Sequence, residues 1–204
     1  MNIRDILAMA PVIPVLVIDD LAHAKPIAEV LVAAGLPVME VTLRTESASQ
    51  AIAAMTQVPG AVVGASTVVF PEQLEDVADA GARFIVSPGL SEAIADAALK
   101  EEMPYLPGVA TAADLMRGLE YGFDRFNFFP AVASGGIAAL NALAPPFFQC
   151  RFCPTGGIAQ DNAADWLALP HVACVGGTWV VPKGPPDLGL IYDRAVKASR
   201  LRND

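Results

Sequence analysis

Eight short runs rich in β-branched and aromatic residues recur along this chain at near-regular intervals. They span residues 12–18, 38–44, 61–67, 84–88, 105–109, 125–130, 151–155 and 172–180, with starts 20–26 residues apart. Between most of them lie Ala- and Leu-rich segments with apolar residues at helical spacing, such as 21–34, 47–55 and 71–80. Alternating β and α units predict a parallel sheet, because a parallel connection needs a crossover. Eight units with no break in composition predict an α/β protein built as one (β/α)8 barrel over residues 1–204, with the helices outside. An open doubly wound sheet is the alternative. It usually carries a GxGxxG after the first strand, and none stands there.

The 38–44 run favours the barrel. Met39, Val41 and Leu43 share one face, and Glu40, Thr42 and Arg44 share the other. A strand buried in a doubly wound sheet is apolar on both faces. A barrel strand can aim polar groups along the interior toward the C-terminal mouth, where this fold places its chemistry.

A hydrophobic fraction of 54% excludes a disordered chain. No apolar run reaches the roughly 18–20 residues of a membrane span. Residues 1–10 lack the basic start and long apolar stretch of a signal peptide, which leads to the expectation of a cytoplasmic protein. The net charge of −9, without clustered Lys and Arg, argues against a nucleic-acid partner. Cys150 and Cys153 form a CxxC, but in an extended run residues i and i+3 face opposite ways. With Cys174 they read as free, buried thiols.

Glu40 is the sharpest single feature. A carboxylate on an inward face is costly unless it is paired or used. It is either a structural partner of Arg44 or Thr42, or a general acid/base with Arg44 holding a substrate carboxylate. The glycine pairs in Pro154-Thr155-Gly156-Gly157-Ile158 and Val175-Gly176-Gly177-Thr178-Trp179 follow or occupy the last two runs. At those barrel positions, backbone N–H groups and the Thr178 hydroxyl can hold a phosphate. Asn127 shares a face with Arg125 and Phe129 and reads as an interior hydrogen-bonding group.

Seven segments together resemble one family. They are Pro14-Val15-Leu16-Val17-Ile18, Glu40-Val41-Thr42-Leu43-Arg44-Thr45, Val86-Ser87-Pro88-Gly89, Leu106-Pro107-Gly108-Val109, Phe128-Phe129-Pro130-Ala131, the run from Arg151 to Ile158, and the run from Val175 to Trp179. The family is that of the 2-keto-3-deoxy-6-phosphogluconate (KDPG) aldolases, which overlap with the 4-hydroxy-2-oxoglutarate aldolases. The likeness runs from about Pro11 to about Pro182. It implies a homotrimer of (β/α)8 barrels, without metal or cofactor, whose lysine forms a Schiff base with a keto-acid substrate. The products are pyruvate and glyceraldehyde 3-phosphate, or pyruvate and glyoxylate. The resemblance assigns Glu40 as acid/base, Arg44 and Thr67 to the pyruvyl moiety, and Pro88 to the pocket wall. It assigns Thr155, Gly156, Gly157, Gly177 and Thr178 to the phosphate end.

Three positions depart from the pattern. Asn127 stands where the family has its Schiff-base lysine, Ser66 where it usually has glycine, and Val132 where it usually has glutamate. An amide nitrogen is not a nucleophilic amine. The four lysines offer no obvious substitute, since Lys25, Lys100 and Lys197 fall on helices and Lys183 follows the last strand. His23 and His171 are likewise placed away from the mouth. Three readings follow. The chain is a variant of a working aldolase whose catalytic lysine is replaced by Asn127, with turnover lost or redirected; a non-catalytic keto-acid-binding relative or trimeric scaffold; or a Glu40-dependent proton-transfer enzyme with no covalent intermediate.

Overall fold

The computed structural model describes residues 1–201. Every predicted run contains a strand, generally shorter than expected. These are β1 (Val12–Leu16), β2 (Val38–Thr42), β3 (Val62–Ser66), β4 (Ile85–Val86), β5 (Tyr105–Leu106), β6 (Gly108–Val109), β7 (Arg125–Phe128), β8 (Arg151–Pro154) and β9 (Val175–Gly177). The helices are α1 (Ile3–Ala8), α2 (Ala24–Ala33), α3 (Ala48–Thr56), α4 (Gln73–Asp79), α5 (Glu92–Lys100), α6 (Ala112–Glu120), α7 (Gly136–Leu143), α8 (Ala163–Leu167) and α9 (Leu188–Ser199). No helix among the described residues is long and apolar enough to cross a membrane.

The strands form a curled six-stranded parallel sheet, ordered β5-β4-β3-β2-β1-β9, and a three-stranded one, β6-β7-β8. The eight expected runs thus form nine short strands in two parallel ladders. The run 105–109 is split at Pro107, which has no N–H to donate. Its residues Tyr105 and Leu106 pair with β4, whereas Gly108 and Val109 pair with β7. At the opposite edges only isolated parallel bridges join the sheets, at Phe152–Val172 and Thr155–Gly176.

The last run also ends earlier than expected, at Gly177. A Cβ there would lie 1.6 Å from the Trp179 ring. The ring folds back over Gly177, so the chain turns and leaves the sheet instead of continuing to Val180.

Strand parity sorts the interior into two cores. Val12, Leu16, Met39, Val41, Val63, Ala65, Phe126 and Phe152 face the helices and join a large cluster with residues such as Leu31, Ile52 and Ala195. The alternate residues Ile13, Val38, Val62, Val86, Leu106 and Cys153 face the other way and form a smaller cluster. Helix α1, which the sequence pattern did not reveal, adds Ile6 and Leu7 to this cluster and seals it from below. An Asn2–Asp5 capping box starts this helix.

All three cysteines are free and buried. Cys150 lies in the larger cluster and Cys153 in the smaller, so the two faces of the run do separate the CxxC thiols.

Candidate active site

Above the smaller cluster, the same strand faces turn polar. Two residues beyond Val38 is Glu40, and beyond that Thr42. Ser66 follows Val62 and Gly64 in the same way, and Asn127 is the ladder partner of Cys153. With Ser87, these four are the buried polar residues lining a cavity of about 370 Å³. Every residue that the resemblance assigns to the site lines this one cavity: Glu40, Arg44, Thr67, Pro88, Asn127, Thr155, Gly156, Gly157, Gly177 and Thr178. Glu40 and Asn127 are buried, whereas Arg44, Pro88, Gly157 and Thr178 are exposed at the rim.

Glu40 makes neither of its expected structural pairings. Thr42 spends its hydroxyl on the Leu16 carbonyl, at 3.0 Å. No ion pair among the described residues involves Glu40 or Arg44. Glu40 Oε1 is buried with no hydrogen-bond partner. Burial pushes the Glu40 carboxyl up to about 7, partly offset by a hydrogen bond from Ser66. A carboxyl that titrates near neutrality can both take and give a proton, which is what a general acid/base needs.

Asn127 donates from Nδ2 to the Ser87 carbonyl at 3.2 Å, and its Oδ1 is buried and unpartnered. Thr67 closes the end of β3 at φ 63. A β-branched residue seldom occupies that left-handed region, and such strain tends to gather at functional sites. At the rim, Gly157 has φ +80, and a Cβ there would meet the Val132 side chain at 2.7 Å. Val132 therefore packs over the glycine loop without lining the cavity itself.

Four lining residues had no role in the sequence reading: Val15, Ser87, Phe129 and Ile158. Parity with Ile13 could have placed Val15, and the face that Phe129 shares with Asn127 does place it on the cavity side. Ser87 acts through its backbone carbonyl, which residue type does not betray.

None of the four lysines lines the cavity. Lys25 lies in α2, Lys100 ends α5, Lys197 lies in α9, and Lys183 is exposed beyond β9. His23 sits in a 3-10 turn before α2. His171 stacks edge-on against Phe152. Neither histidine lines the cavity.

A family model described as KDPG and KHG aldolase matches residues 3–191. The KHG/KDPG aldolase of Escherichia coli K12 is 52% identical over 198 residues, which cover 97% of this chain and 92% of the relative. The crystal structure of the 2-keto-3-deoxy-6-phosphogluconate aldolase of Zymomonas mobilis ZM4 with 3-phosphoglycerate is 53% identical, with a TM-score of 0.95, covering 97% of this chain and 94% of that one. The Legionella pneumophila KDPG aldolase, captured with pyruvate as a covalent carbinolamine, is 45% identical with a TM-score of 0.94, covering 98% of both chains. With the site residues drawn around one cavity and the match running nearly end to end, the chain belongs to the KDPG and KHG aldolase family.

Proposed function

We propose that the cavity binds the keto acids of this family, with the pyruvyl end at the buried floor and the phosphate at the glycine rim. The observation that carries this reading is the single cavity joining buried Glu40 to the exposed Arg44 cation and the Thr155–Gly157 and Gly177–Thr178 loops. In the family reaction, 2-keto-3-deoxy-6-phosphogluconate gives pyruvate and glyceraldehyde 3-phosphate, and 4-hydroxy-2-oxoglutarate gives pyruvate and glyoxylate. Arg44 and Thr67 hold the pyruvyl carboxylate, Pro88 walls the pocket, and Glu40 shuttles protons.

The same reading closes the two sheets into one (β/α)8 barrel over the described residues, the last three of the 1–204 span lying outside them. The 105–109 run, which pairs with β4 before Pro107 and with β7 after it, and the Thr155–Gly176 bridge on the other side support this closure. Three such barrels form a cytoplasmic homotrimer.

The covalent step is where this chain differs. An amine must add to the substrate ketone and then expel water to give an iminium. Asn127 takes the position of that amine, and its nitrogen lone pair is delocalised into the amide carbonyl. We therefore assign to this chain an aldolase pocket whose Schiff-base turnover is lost or redirected. A second reading, proton exchange at pyruvate C3 by Glu40 without a covalent intermediate, is favoured by a carboxyl that titrates near neutrality. A third keeps binding alone, in a trimeric scaffold.

Borohydride trapping with pyruvate separates these readings. The chain as it stands should give no adduct, and Asn127→Lys should give one at residue 127. An adduct on the unaltered chain overturns the loss of the covalent step. An Asn127→Lys protein that neither forms an adduct nor releases pyruvate supports the scaffold. Deuterium exchange at pyruvate C3 that disappears in Glu40→Gln supports proton transfer.

A further inference from the structure

The orientation of the Asn127 amide is fixed by its neighbour. The Ser87 carbonyl can only accept, so the atom 3.2 Å from it must be Nδ2. The acceptor Oδ1 is thereby turned away from Ser87 and is left buried without a partner. Asn127 is only 3% exposed and lines the cavity beside Glu40. A buried acceptor without a donor destabilises its site, and a ligand that brings the missing donor recovers that loss on binding.

A 2-oxo acid cannot bring it. Its ketone oxygen and its ionised carboxylate are acceptors only, so at Asn127 Oδ1 acceptor would meet acceptor. An acid with a hydroxyl on the carbon beside the carboxylate offers an O–H donor there, while keeping the carboxylate for Arg44. Below about pH 6 Glu40 is mainly protonated and can donate to either ligand, so there it does not discriminate between them. Lysine in the same place would present donors and no acceptor, with the opposite preference.

We infer that Asn127 is a specificity-determining residue and that it turns this pocket from 2-oxo acids toward 2-hydroxy acids. This rests on the keto-acid-pocket reading above and names the ligand class that the altered floor takes.

The test is calorimetric titration of the full chain at about pH 5.5, where Glu40 is protonated, with pyruvate and with each lactate enantiomer separately. The better lactate enantiomer should bind about tenfold more tightly than pyruvate, the worth of one buried hydrogen bond made rather than refused. In Asn127→Leu, which removes the acceptor, the two affinities should converge. In Asn127→Lys the order should reverse. Pyruvate binding as tightly as lactate to the unaltered chain overturns the inference, as does a lactate preference that survives both substitutions. The two levels separate cleanly. If Asn127→Lys traps pyruvate with borohydride but the parent does not prefer lactate, only the inference falls. If neither acid binds the parent and Asn127→Lys forms no adduct, the keto-acid pocket itself falls with it.

Discussion

The Tyr105 hydroxyl lies 2.5 Å from Ser87 Oγ and must be the donor, because the single Ser87 hydroxyl hydrogen goes to the Gly89 carbonyl at 2.6 Å. Desolvation pushes the Tyr105 phenol up to about 12, so it keeps its proton at any physiological pH. Ser87 thus ties the Pro88–Gly89 loop to β5 through its side chain while its backbone carbonyl holds Asn127. Tyr105→Phe removes the donor and leaves a buried hydroxyl short of one bond. Urea unfolding should show a loss of about 1–2 kcal/mol with the fold retained.

Glu40 should leave a signature in the pH dependence of stability. Its folded-state pKa of about 7 lies above the ordinary value of 4.5. The folded protein therefore binds this proton more tightly than the unfolded chain. Its contribution is complete below about pH 4.5 and is lost as pH rises through about 7. Over that window the loss is about 3 kcal/mol from this group alone. Glu40→Gln should therefore gain on the parent as pH rises from 5 to 8, measured as the difference between urea midpoints. Parallel pH profiles for the two proteins would contradict a buried, neutral-titrating carboxyl.

Gly177→Ala should be among the most damaging small substitutions. Its Cβ would fall 1.6 Å from the Trp179 ring, which must then move off the rim. Overpacking of this kind costs about 1–3 kcal/mol. Thermal unfolding should register it, and adding Trp179→Ala should return part of the loss that Gly177→Ala causes.

Arg44→Met should separate binding from folding. Arg44 is exposed and makes no ion pair among the described residues, so stability should stay within about 0.5 kcal/mol of the parent. Loss of a charge-assisted contact should weaken keto-acid binding about 10–100-fold by calorimetry. Unchanged affinity would remove Arg44 from the pyruvyl contacts.

Much of this was legible in the residues because strand parity is a strong constraint. The alternation Met39, Val41 against Glu40, Thr42 placed the carboxylate on the cavity side, and the structure has it there. The strand ends were less legible. Pro107 interrupts a ladder only in relation to its neighbours, and Gly177 ends a strand only because Trp179 returns to cover it. Backbone-mediated roles were not legible at all. Nothing in the identity of Ser87 says that its carbonyl will choose which end of the Asn127 amide is left over.

Helix α1 gives the first residues of the chain a say in the acid chemistry at its centre. Ile6 and Leu7 are a stopper beneath the floor, at 0% and 1% exposure, in contact with the layer that includes Val38, two residues below Glu40. The proton affinity of Glu40 comes first from the absence of water around it. Unseating α1 would flood that layer from underneath and draw the carboxyl back toward an ordinary acid, so a helix that does not line the cavity tunes the acid within it.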